Sequence, residues 1–99
     1  MENRVIVWAP LAVKQFTAAI HYIANDSVQN AEKVHKEILE KIFNLLLYPE
    51  NYAPDKYRLK NDGSYRAFEI HHYRISYRLK KNEIFIFRVR HTSQQPKKY

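Results

Sequence analysis

The chain contains no cysteine, so a disulfide framework and a thiolate metal site are both impossible, and a small disulfide-stapled secreted domain is excluded. A cytoplasmic home is expected. Only one glycine is present, which argues against a low-complexity or disordered chain. No stretch approaches the roughly 18 consecutive apolar residues of a membrane span, and the N-terminus lacks a basic segment followed by a long apolar run. Neither a membrane partner nor export is expected. Acid is also scarce: 10 Asp and Glu stand against 17 Lys and Arg, a net charge of +7. On a small surface that field favours nucleic acid or an acidic partner, with an anionic membrane surface the weaker alternative.

What is there fits one packed unit. At 99 residues and 45% apolar content the chain is expected to form a single domain over 1–99 with one core. It divides into a strand and helical hairpin over 1–48, a basic loop over 49–64, a three-stranded meander over 65–91 and a basic tail over 92–99. Arg4 to Trp8 is β-branched and aromatic with no polar residue after Arg4, which predicts a short strand buried on both faces, inside the sheet. Pro10 suits the first turn of a helix, and Ala12, Phe16, Ala19, Ile20 and Ile23 make one apolar stripe that ends near Ala24. Asn25-Asp26-Ser27 offers a cap for a second helix carrying Ala31, Val34, Ile38, Ile42, Leu45 and Leu46. That helix stops near Tyr48, because the residue before Pro49 is pushed out of the helical region.

The basic loop carries Pro54 and the turn signal Asn61-Asp62-Gly63, with Lys56, Arg58 and Lys60 spaced so as to share one side of an extended segment. Three strands are predicted after it, Tyr65 to His71, Tyr73 to Leu79 and Ile84 to His91. Period-two alternation turns Phe68, Ile70, Tyr73, Ile75, Tyr77, Leu79, Phe85, Phe87 and Val89 toward the helices. The opposite face then receives Arg74, Ser76, Arg78, Arg88 and Arg90, with Tyr65, Ala67 and Glu69. The fold class is α+β, in the order β-α-α-β-β-β, with the helical hairpin packed on a mostly antiparallel sheet.

Four arginines on one sheet face are a candidate binding surface. Guanidinium groups grip phosphate or carboxylate bidentately and stay charged, whereas like charges on neighbouring strands destabilise a sheet. The plain alternative is a solvated face with Arg88 and Arg90 paired to Glu69 or Glu83. His71 and His72 are adjacent at a turn and cannot face one site, which argues against a metal; no metal or cofactor is expected. His91 ends the last strand beside the arginines, and histidine is the residue type best suited to acid-base work near neutral pH. Tyr99 lies on a tail that can fold back over the sheet or stay mobile until a partner orders it, with Pro96 forbidding a continued ladder.

Trp8-Ala9-Pro10-Leu11-Ala12 opening helix one, Leu47-Tyr48-Pro49 closing the hairpin, Tyr73-Arg74-Ile75-Ser76-Tyr77 and Arg88-Val89-Arg90-His91 together resemble the RelE/ParE toxins, over nearly the whole chain. The resemblance implies the same β-α-α-β-β-β order. It also implies a growth-arresting bacterial toxin neutralised by a small acidic antitoxin, through which the complex can bind operator DNA. The target it implies is either DNA gyrase or messenger RNA on the ribosome. The Trp-x-Pro-x-Ala opening and the Arg-Val-x-His strand end look closer to the gyrase poisons, which need a binding surface and no catalytic set. For a ribosome-dependent endonuclease, Arg74, Arg88, His91 and Tyr99 occupy places comparable to the catalytic residues, with Lys56 or Glu69 as the base. Lys56, Arg58, Lys60, Arg78 and Arg90 are the binding candidates on either reading. A toxin-like module with no surviving poison activity is the third possibility.

Overall fold

The computed structural model describes residues 3–94, 98 and 99. The elements run β1 (Val5–Trp8), α1 (Pro10–Asp26), α2 (Val28–Asn44), β2 (Tyr65–Ile70), β3 (Tyr73–Lys80) and β4 (Glu83–His91). This is the α+β order expected from periodicity.

Local chemistry sets the element ends. Pro10 opens α1, where its missing amide is no loss. A single residue, Ser27, joins the helices: its amide donates to the Ile23 carbonyl to close α1, and its hydroxyl accepts from the Asn30 amide to open α2. α1 therefore runs two residues past Ala24. The β2–β3 hairpin turns through His71 and His72, both left-handed at φ 53° and 66°. Two consecutive positive φ values match the right-handed twist of a hairpin, though non-glycine residues incur strain there.

The strands form one sheet in the order β1-β4-β3-β2, with β1 parallel to β4 and the other pairs antiparallel. β1 therefore lies at an edge, with Val5 54% exposed, and not inside the sheet as its apolar run suggested. Among the described residues β1 is paired on the side toward β4 alone, from the Val5 amide to the Asn82 carbonyl and from the Ala9 amide to the Ile86 carbonyl. The other edge, β2, is partly covered by the loop through the Pro54–Arg66 bridge.

The helical stripes meet the sheet as expected. Ala12, Phe16 and Ala19 of α1 and Val34, Ile38 and Ile42 of α2 are buried against Phe68, Tyr73, Ile75, Tyr77, Ile84, Ile86 and Val89. Tyr77 is fully buried and donates its hydroxyl to the Pro49 carbonyl at 3.2 Å, which satisfies the polar end of a core ring.

In β4 the face assignment changes. Tyr77 pairs with Ile86 and Ser76 with Arg88, so Phe87 is an extra residue, a β-bulge. The bulge places Ile84 and Ile86 in the core ahead of it and Val89 beyond it. Phe85 and Phe87 consequently lie on the outer face, against the expectation that they face the helices. Beyond Trp8, β1 has left the sheet, and the Val89 amide donates to Gln15 Oε1 of α1 at 2.8 Å, which satisfies that donor beside the irregularity.

Candidate functional site

The outer face collects Arg74, Ser76 and Arg78 from β3 with Arg88 and Arg90 from β4, as alternation required. Arg74 stands directly across the strands from Arg90, and Ser76 from Arg88. Two facing guanidiniums repel, and the loop supplies the answer: Asp55, only 3% exposed. Arg74 Nη2 donates to Asp55 Oδ1 at 2.7 Å and Arg74 Nη1 to Glu69 Oε2 at 2.8 Å. Among the described residues neither Arg88 nor Arg90 has an ion pair, so neither takes the partnership with Glu69 or Glu83 that the plain alternative required; Glu69 goes to Arg74.

Asp55 is the hub of the site. Its Oδ1 also accepts from the Tyr57 amide at 3.0 Å, and its Oδ2 from the Tyr99 hydroxyl at 2.6 Å. Burial works against the charged carboxylate, but the donors from Tyr99, Tyr57 and Arg74 and the Arg74 charge outweigh it and hold Asp55 below the ordinary aspartate range. The same contact acts in reverse on the tyrosine. Burial, together with donation to Asp55 and the repulsion of the carboxylate, raises Tyr99 well above an ordinary phenol, so its hydroxyl stays protonated.

Tyr99 is docked against the loop and the sheet. Its amide donates to the Tyr57 carbonyl at 2.9 Å, its carbonyl accepts from the Leu59 amide at 2.6 Å, and the Arg88 guanidinium lies 4.8 Å from its ring centre. Tyr99 is folded back over the sheet, as one reading of the tail expected; Pro96 lies outside the described residues. Ser76, expected on the outer face, is 2% exposed beneath this cover. Between Asp55, Arg74, Ser76, Arg88 and Tyr99 remains a cavity of about 20 Å³, room for one water.

The basic loop is not an extended segment, and Lys56, Arg58 and Lys60 do not share one side. The chain turns there: Lys60 is left-handed at φ 51°, Lys56 lies 5.2 Å from the Tyr57 ring centre, and Arg58 lies over Tyr65 at 3.9 Å. Lys56 instead joins a cleft of about 290 Å³ with Glu69, Arg74, Arg90 and His91 among its walls. His91 is held there by the Ser93 amide, which donates to Nδ1 at 3.0 Å, and by the edge of Tyr73 at 5.1 Å. His71 and His72 diverge as their adjacency required: His71 meets Glu37 at 3.1 Å and His72 stacks beside His91. Among the described residues no group of three His, Asp or Glu is placed to hold a metal, and no helix is long and apolar enough to cross a membrane.

Sequence reasoning missed Asp55. It is the one acid between Asn51 and Asn61, and an aspartate whose side chain accepts from the amide two residues on is a turn former. That signal marks a turn but not the arginine nineteen residues away.

Comparison with known proteins agrees with the fold. No curated protein matches the chain. Among solved structures the chain is similar to a chain of the chromosomal ParDE TA system from P. aeruginosa, with a TM-score of 0.68 and 21% identity, covering 89% of this chain and 95% of that one. At that identity the likeness is one of fold. The sequence model of the ParE toxin of the type II toxin-antitoxin system parDE matches residues 6–96, nearly the full length, and the chain belongs to that toxin family.

Proposed function

We propose that this toxin arrests growth as a binding poison of DNA gyrase and is held inactive in the cytoplasm by a cognate acidic antitoxin. The observation that carries the reading is how the chemistry-bearing groups of the arginine face are already engaged with one another. Tyr99 donates its hydroxyl hydrogen bond to Asp55, Arg74 is divided between Asp55 and Glu69, and the space left among them has room for about one water. A general acid must reach the substrate with its proton, and Tyr99 does not present one. What remains open to a macromolecule is charge for binding, chiefly Arg88 and Arg90. Brief induction in cells tests this: double-strand breaks trapped on gyrase with intact messages are expected, and cleaved messages with intact DNA would overturn it. Absence of growth arrest on expression without the antitoxin would favour the inactive module.

A messenger-RNA endonuclease is the second reading, favoured by the cleft that gathers Lys56, Glu69, Arg74 and His91. There a base, a cation and an acid line one space without Tyr99. On this reading His91→Ala slows cleavage by about a hundredfold or more. On the gyrase reading the same substitution leaves the yield of DNA breaks unchanged.

A further inference from the structure

On the outer face beside Tyr99 lies a groove of about 260 Å³ whose composition the toxin reading does not require. Its cations are Arg58, Arg78, Lys80 and Arg88, and its rings are Tyr65, Phe85, Phe87 and Tyr99. Every cation rests on a ring: Arg58 on Tyr65 at 3.9 Å, Arg78 on Tyr65 at 4.7 Å, Lys80 on Phe85 at 4.6 Å and Arg88 on Tyr99 at 4.8 Å. No aspartate or glutamate lines the groove, and among the described residues none of the four cations has an ion pair. Phe85 and Phe87 both stand here outside the core, Phe87 as the extra residue of the bulge.

We propose that this groove binds a single strand of nucleic acid, its bases stacking on the half-buried ring and guanidinium planes and its phosphates meeting the cations. The charge calls for a polyanion. The flat apolar surface calls for a partner with planar faces free, which a single strand offers and a duplex keeps stacked within itself. An acidic peptide is the poorer fit: the groove lies on a sheet face and not along an edge, so no main-chain ladder can add to the charge pairing. The inference does not depend on the identity of the toxin's target.

The test uses the purified full-length chain and fluorescence anisotropy with a labelled oligothymidylate of about a dozen nucleotides. An oligouridylate, a duplex of the same length and polyglutamate serve as the other probes. Either single strand is expected to bind more tightly than the duplex and polyglutamate. With three to four phosphates neutralised at a slope of roughly 0.7 each, raising salt from about 50 to about 200 mM weakens binding on the order of 20- to 50-fold. Arg78→Gln with Lys80→Gln is expected to weaken it about tenfold or more and to lower the slope by roughly 1.4. Phe85→Ala weakens it with the slope unchanged, provided its unfolding temperature shows a folded chain. Lys14→Gln with Lys33→Gln, which removes the same charge from the helices, leaves it nearly intact. Equal weakening by the helix pair, preference for polyglutamate or duplex, or no binding by any probe overturns the proposal. Growth arrest, scored separately, tells its failure from that of the toxin reading.

Discussion

Replacing Asp55 with asparagine removes one charge and almost no volume from the buried centre of the site. Arg74 loses a 2.7 Å charge-assisted bond, and the Tyr99 hydroxyl loses the anionic form of its acceptor. Breaking a buried pair from one side costs about 3–5 kcal/mol. Arg74 keeps Glu69, an exposed partner that secures one edge of the guanidinium, so we expect a loss of about 2–3 kcal/mol at neutral pH. For a chain this small that lowers Tm by roughly 10–20 °C. The pH dependence carries a sharper signature. Asp55 is held below its ordinary value of 3.8 in the folded state, so its contribution is fully present above that value and is lost as pH falls through the lower folded one. Urea unfolding of both proteins should give a constant stability gap from neutral pH down to about pH 5, closing below about pH 4. A gap absent at pH 7, or one that widens below pH 4, would refute the account of Asp55 as a buried, charged hub.

Tyr99→Phe keeps the ring on Arg88 but removes the donor to Asp55, and is expected to destabilise the chain by about 1–2 kcal/mol in urea unfolding while leaving gyrase-linked breaks in cells unchanged. Arg88→Ala with Arg90→Ala removes two cations that hold no ion pair among the described residues, so Tm should stay within a few degrees. Affinity for the antitoxin or the target, measured by titration calorimetry, should fall at least tenfold. Deleting Phe87 removes the bulge yet preserves every other face, because Ile86 would then be followed directly by Arg88, outward, and Val89, inward. The variant should retain a cooperative melt, and an unfolded product would show that the bulge is needed for folding and not only for the groove.

The helical half of this fold was legible because each helix position is fixed by its own local period. Ala12, Phe16, Ala19, Val34, Ile38 and Ile42 needed only a spacing of three and four to be placed in the core, where they are found. The edge position of β1 was not legible. A short apolar run looks the same whether two strands flank it or one strand and a helical hairpin cover it, and Val5–Trp8 is the second case.

In β4 the difficulty is sharper. Ile84-Phe85-Ile86-Phe87 is apolar at every position, so alternation within it selects no face. Counting back from Arg88 and Arg90, the nearest polar residues, assigns the phenyl rings inward. What decides otherwise is the neighbouring strand. β1 pairs with β4 only as far as Ile86, where the Ala9 amide takes the Ile86 carbonyl and the chain turns into α1. Phe87 is the first residue beyond that pairing, and there the sheet tolerates an extra residue, with Gln15 of α1 satisfying the Val89 amide left facing the gap. The isoleucines then fit beneath the helices, and the phenyls pack outside against Tyr65 and Tyr99. The end of one short edge strand thus fixes which side chains of another strand reach the outer face. The aromatic floor of the cationic groove follows from that long-range pairing, which no pattern within residues 83–91 encodes.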